Sequence, residues 1–307
     1  MIRKSFITLA ALLAAAVAGA QEVVPANESF PLLVTPRDAA LAGMAGAGDA
    51  STSGSQAYAA FSNPATLPLA QYKLSAGLSY ARWAPARELS LSHNMGGAVA
   101  ARFGRVGISA GAFYQAHPAL DLGDDGTYAR KGLLVAAGAG ILLSQHFSLG
   151  VAVRYAQERL LSDYTLSTVA FTGMLQYQWN ALNVAAGVAN LGGGAKAENG
   201  TVSSLPASAR LAVDYALPLG PGSLELALDG DYYFIGKLSV AGGLCYDFKR
   251  IAFLRAGYRY AAPGAALPSY LSLGAGVRYR GIHADVTWLT ASPSLANTLL
   301  VGIGIDL

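Results

Sequence analysis

Leu299-Leu300-Val301-Gly302-Ile303-Gly304-Ile305-Asp306-Leu307 decides the fold: Leu299, Val301, Ile303, Ile305 and Leu307 hold one parity, and Gly302, Gly304 and Asp306 hold the other. Successive side chains of a strand point to opposite faces, so this stretch reads as a strand with one apolar face. A soluble strand can look the same. Working back from it, however, the rhythm recurs to Tyr72, in about a dozen segments of ~10 residues, the length a tilted strand needs to cross a bilayer. A sheet in lipid must also close on itself, because no water is present to satisfy an open edge. The expected fold is all-β, a transmembrane antiparallel barrel.

Parity gives the strand count. Leu74, Leu78 and Tyr80 open the series. Arg87 to Phe103 reads as one strand despite Met95-Gly96-Gly97, because Leu89, Leu91, Met95, Val99 and Phe103 all stay on odd positions. Ile108 to Tyr114, Leu133 to Leu143, Leu149 to Tyr155, Val169 to Trp179, Leu182 to Asn190, Leu211 to Leu217, Leu224 to Phe234, Leu238 to Phe248, Ala252 to Tyr260, Leu271 to Tyr279, Ile282 to Trp288 and Leu299 to Leu307 follow. About fourteen strands result, an even number, as in single-chain bacterial barrels. Connections alternate in length. Gly104-Arg105, Gln145-His146, Asn180-Ala181, Leu219 to Gly222, Lys249-Arg250 and Gly281 are short, as periplasmic turns are. Pro118 to Arg130, Leu191 to Pro206, Ala262 to Pro268 and Ala291 to Ala296 are longer, as outer loops are. Aromatic residues are expected in two girdles: Tyr80, Trp83, Tyr114, Tyr155, Tyr232, Phe234, Tyr258, Tyr260 and Trp288 outside, and Phe103, Tyr177, Trp179, Tyr215, Phe248 and Tyr279 at the periplasmic end.

Residues 1–20 read as a cleaved signal peptide: Arg3 and Lys4, an apolar middle, then Ala18-Gly19-Ala20. Residues 21–71 form an amino-terminal periplasmic or plug segment, and 72–307 the outer-membrane barrel, with both termini on the periplasmic side of a Gram-negative outer membrane. The hydrophobic fraction is 53%, yet after the signal no run of ~18 apolar residues occurs, which argues against helical spans. With 13% charged residues and a net charge of +3, no basic stripe supports nucleic-acid binding. The single cysteine, Cys245, forms no disulfide framework and reads as an inward space-filler.

Before the first strand, TPRDAALAGMAGAGDASTSGSQAYAAFSNPATLPLAQY is neither strand-like nor charged. A flexible linker is the bland interpretation. Arg37, the small run Ala42-Gly43-Met44-Ala45-Gly46-Ala47, Asp49-Ala50 and Asn63-Pro64-Ala65-Thr66-Leu67 are too specific for a spacer. The pattern resembles FadL-type barrels and, within them, the PorV/PorQ family of type IX secretion in Bacteroidetes-type bacteria, over nearly the whole mature chain. That resemblance implies a fourteen-stranded barrel with an amino-terminal plug in the lumen, its motif carried by Arg37, Gly43, Gly46, Asp49, Asn63, Pro64 and Ala65. Two departures stand out, a terminal Asp306-Leu307 in place of an aromatic and modest outer loops.

On the inward parity lie Arg102, Arg154, Asp214, Glu225, Asp229, Asp231, Asp247, Arg255, Arg259, Arg278, Arg280, Asp285 and Asp306. Both signs of charge suggest a lumen polar network holding a plug, whereas a conduit for apolar ligands would be expected to show more apolar lining. The resemblance implies a non-enzymatic binding or shuttle role, with a secretion translocon or the carboxy-terminal signal of cargo as partner beside outer-membrane lipid. The alternative is a FadL-like transporter with a hydrophobic small-molecule ligand. No cofactor or metal is expected. His117 with Asp121, Asp124 and Asp125 reads as a solvated acidic loop before a cation site. His283 and Asp285 share a face without a serine signature, so a lumen ion pair is favoured over a catalytic dyad, and no enzyme is expected. His93 sits on the apolar parity, which implies either a locally broken phase or a protein partner against the wall.

Overall fold

The computed structural model describes residues 30–83, 92–121, 127–161, 164–196, 202–292 and 295–307. The signal segment, residues 21–29, Arg87 to Leu91, Asp124 and Asp125 lie outside them. Fourteen antiparallel strands close into a barrel. They are β1 (Leu74–Trp83), β2 (Ser92–Phe103), β3 (Val106–Asp121), β4 (Thr127–Leu142), β5 (Phe147–Leu161), β6 (Tyr164–Trp179), β7 (Leu182–Gly192), β10 (Ser208–Leu219), β11 (Gly222–Tyr233), β12 (Lys237–Phe248), β13 (Ala252–Ala261), β14 (Tyr270–Tyr279), β15 (Ile282–Thr290) and β16 (Thr298–Asp306). Between β7 and β10, β8 (Ala195–Lys196) and β9 (Val202–Ser203) pair only with each other. The seam joins β1 to β16, with Ser75 opposite Asp306, Leu78 opposite Ile303 and Arg82 opposite Leu299.

The expected strand count holds, and so does the parity. Leu78, Val99, Val151, Leu228, Leu254 and Ile303 face outward, all more than half exposed, while Ala100, Ala152, Ala227 and Ala241 face inward and are buried. A continuous apolar wall of this extent is a surface that hydrocarbon solvates and water does not. At one end, which we call the turn end, the strands are joined tightly. Lys249-Arg250 and Arg280-Gly281 each place two residues at positive φ, the conformation whose twist matches a two-residue hairpin. Asp247, on the inward parity, caps the first of these turns by accepting from the Arg250 nitrogen at 2.6 Å.

Three expectations are corrected. Pro118 does not end a strand: β3 continues to Asp121 and β4 starts at Thr127, because the register shift between Ala116 and Ala119 places the proline at a bulge, where no ladder donor is needed. Trp83 belongs to the inward face, packed with Ala81, Leu289, Leu295 and Leu300, rather than to the outer girdle. Arg280 is an exposed turn residue stacked on Tyr279, and not part of the lumen.

Candidate functional site

Residues 30–71 lie against the inner wall and contain a short helix, Ala39–Ala42, and three 3-10 turns, Pro31–Leu33, Ala59–Phe61 and Pro64–Leu69. Each element starts with a local signal. Asp38 caps the helix by accepting from the Ala40 nitrogen at 2.8 Å. Asn63 caps the third turn through Ala65 at 2.9 Å, with Pro64 supplying the φ that a first turn requires. Ala45 and Gly46 then turn left-handed, at φ 58° and 76°, and the Gly46 nitrogen closes on the Leu41 carbonyl. That reversal sends the Ala45 carbonyl to the wall, where Arg259 Nε and the Tyr270 hydroxyl donate to it at 3.1 and 3.0 Å.

Much of the grip is neutral. Ser109, Ser148, Gln176, Ser272 and Thr287 donate to the carbonyls of Ala57, Ala65, Ala50, Gly43 and Ala39 at 2.6–2.9 Å. Asn63 Nδ2 donates to both the Asp49 carbonyl and Gln176 Oε1 at 2.9 Å, so one side chain joins two parts of the segment to β6. Close approach needs missing side chains on the wall. A Cβ on Gly150 would overlap the backbone of Pro64 and Ala65, and one on Gly257 would overlap Met44.

Charged residues form two groups. In the first, Arg210 joins Asp49 of the segment (2.6 Å) to Asp231 of β11 (2.8 Å), Arg259 reaches Asp231 at 3.6 Å, and Asp229 accepts from the Gly48 and Asp49 nitrogens at 3.2 and 3.0 Å. The second lies at the turn end. Arg255 pairs with Asp285 at 2.6 Å, His283 Nδ1 lies 3.0 Å from Asp285, and Arg278 binds Asp306 at 3.0 Å and the Tyr72 hydroxyl at 2.7 Å. Asp214 stands apart from both, accepting from Asn183 at 3.3 Å, and Arg102 Nε is buried without a partner. Arg210 lies one residue before Leu211, where the apolar alternation of this strand begins, so the alternation alone does not point to it. It shares the parity of Asp214, and extending the strand by a few residues would have found it. Burial raises the Asp49 carboxyl above the usual range despite Arg210, and it raises Asp38 as well, with the charge of Asp285 second.

Arg154 and Arg37 differ from the other arginines. Arg154, fully buried, donates to the Ala60 carbonyl (3.1 Å), Asn190 Oδ1 (2.7 Å) and the Ser62 carbonyl (3.4 Å), all neutral acceptors. Asn190 is held inward by a bulge between β6 and β7 and has a left-handed φ of 57°. Arg37 lies over the rings of Phe61 and Phe113, at 5.2 and 5.8 Å. Burial lowers its pKa, with the charge of Arg154 second.

A cavity of about 400 Å³ separates the segment from the wall. Its lining is mixed: Leu33, Val34, Leu41, Met44, Tyr58, Phe61 and Phe253 on one side of the ledger, and Arg37, Arg154, Arg210, Arg255 and Asp285 on the other. Leu33, Tyr58 and Phe61 also belong to the largest buried apolar cluster, with Phe30, Phe113 and Leu134. Cys245 is buried beside Met44 and Ala47. His93 keeps the outward phase, and its Nδ1 lies 2.6 Å from the Tyr80 hydroxyl across the β1–β2 ladder, so its polarity is met inside the chain. His117 Nδ1 lies 2.8 Å from Ser92 Oγ.

No family model matches the chain, and no curated protein matches it. Solved structures do. The Ralstonia pickettii toluene transporter TbuX superposes with a TM-score of 0.65 at 12% identity, covering 88% of this chain and 98% of its own. The CymD monoaromatic hydrocarbon channel gives 0.63 at 13%, covering 89% and 98%. A Pseudomonas aeruginosa FadL homologue gives 0.54 at 12%, covering 88% and 96%. At such identities the likeness is one of fold: this chain shares the closed-barrel architecture of these proteins over most of its length.

Proposed function

We propose that the protein is an outer-membrane conduit for a small hydrophobic molecule, with residues 30–71 as a plug in the lumen and both chain ends on the periplasmic side. The observation that carries this is the position of Leu33, Tyr58 and Phe61, which are at once part of the buried apolar cluster and of the cavity wall. A ligand entering there exchanges water for aromatic and aliphatic surface, as ligand pockets generally provide. The lumen is therefore less uniformly polar than its charged residues imply. The fold shared with hydrocarbon transporters supports the same reading. The polar contacts that hold the plug are hydrogen bonds and ion pairs, each reversible, so passage requires the segment to shift rather than the barrel to open its ladder.

Uptake of labelled toluene by intact Gram-negative cells, with and without this protein in their outer membrane, tests the proposal. Expression should accelerate uptake. Equal rates with folded protein present in the membrane would sink it. The secretion role implied by the sequence resemblance draws no support from these structural relatives.

A further inference from the structure

The lumen arginines divide into those that meet a carboxylate and those that do not. Arg210 and Arg259 meet Asp49 and Asp231, Arg255 meets Asp285, and Arg278 meets Asp306. Arg37, Arg102 and Arg154 meet no carboxylate among the described residues, and of these Arg37 and Arg154 lie against the same stretch of the segment. Arg37 is only 7% exposed, and its Nε and Nη2 are sealed without a hydrogen-bond partner. The residue lines the cavity. Arg154, 1% exposed, spends its three bonds on neutral oxygens. Both residues flank the Ala60-Phe61-Ser62 stretch, Arg154 through the carbonyls of Ala60 and Ser62 and Arg37 over the Phe61 ring, and both line the same cavity.

Burying a guanidinium is tolerated when an opposite charge accompanies it, and two together repel each other unless one does. The Phe61 and Phe113 faces offset part of this for Arg37. They leave the pair with its full positive charge. Asp49, the carboxylate that acts on Arg154 at longer range, is already bound by Arg210.

We propose that the cavity holds an oxyanion against Arg37 and Arg154, either the carboxylate of an organic acid or a small inorganic oxyanion. A guanidinium attracts an oxyanion by its charge and by directed N–H donors, and the cavity volume admits a compact acid such as benzoate. This deepens the conduit reading, since it shares that cavity, and it adds a selectivity that a neutral hydrocarbon site lacks.

Isothermal titration of the purified full-length barrel in neutral detergent with sodium benzoate, sodium phosphate and toluene tests the site. Benzoate binding alone assigns it to an organic acid, phosphate binding alone to an inorganic oxyanion, and binding of both to the shared chemistry. Absence of binding by either anion overturns the proposal. Arg37→Gln should weaken anion binding at least tenfold, and Arg37→Lys, which keeps the charge without the planar fork of donors, should fall between Arg37→Gln and the unaltered protein. Among the described residues Arg37 has no side-chain hydrogen-bond partner, so these variants change its stacking on Phe61 and Phe113 and leave the hydrogen-bonded wall contacts in place; retention of the barrel is checked by its heat-modifiable migration on gels. Unchanged anion affinity in a folded Arg37→Gln barrel would also overturn the proposal. Toluene uptake is read separately, so the conduit can stand or fall without the anion site.

Discussion

Arg210 shows how one side chain ties the segment to the barrel. It sits between Asp49 and Asp231, with all three largely out of solvent. Removing one member of a buried ion pair strands the other, at a cost of about 3–5 kcal/mol. Arg210→Met should therefore lower the urea midpoint of the barrel in detergent, and the deficit should depend on pH. The Asp49 carboxyl is raised by burial even with Arg210 present, and without that cation it rises further. A carboxyl raised in the fold favours the fold while protonated. That contribution is complete below the ordinary Asp value of ~3.9 and is lost as pH climbs through the folded value. The deficit of Arg210→Met should thus be smallest in acid and grow toward neutral pH. A deficit of equal size throughout would mean that Asp49 is not charged beside Arg210.

At the scale of elements, the Pro64–Leu69 turn is fixed by Asn63, which accepts one hydrogen bond to cap it and donates two that no neighbour can replace. Loss of a cap costs ~1 kcal/mol, and each buried acceptor left bare costs about 1–3 kcal/mol more. Asn63→Asp keeps the cap and the shape but loses both donors. It should destabilise the seated segment about as much as Asn63→Ala, read as faster protease cleavage between residues 50 and 70. If Asp were tolerated like Asn, the donors to Asp49 and Gln176 would not matter. The Asn-Pro-Ala string was visible in the sequence because a cap and its proline are local. Its second task was not, because Gln176 is 113 residues away and faces Asn63 only once the barrel closes. The same limit explains the neutral grip: Ser109, Ser148, Ser272 and Thr287 are ordinary inward residues until the segment's carbonyls are placed against them. The strands themselves were legible, since a parity repeated fourteen times outweighs local noise. Their ends are not: Pro118, Trp83 and Arg210 all lie within a few residues of a strand boundary, where the alternation is too short to assign a face.

Across the whole molecule, the outward parity and the seam make one prediction about environment. If the barrel sits in a bilayer, depth should govern the cost of an outward charge: about 2–4 kcal/mol for Arg near the midplane and ~0–1 near an interface. Val151 and Leu228 lie mid-strand on the outer face, and Leu219 ends β10 at the turn end, all about half exposed from the protein's side. Val151→Arg and Leu228→Arg should each lower stability in phospholipid vesicles by several times the effect of Leu219→Arg, measured by reversible urea unfolding. In a barrel solvated by water the order would vanish, because replacing an exposed apolar residue by arginine costs little anywhere on such a surface. Equal effects at the three positions would therefore remove the membrane from the account while leaving the fourteen-stranded ladder intact, since the ladder rests on backbone pairing that no outward side chain supplies.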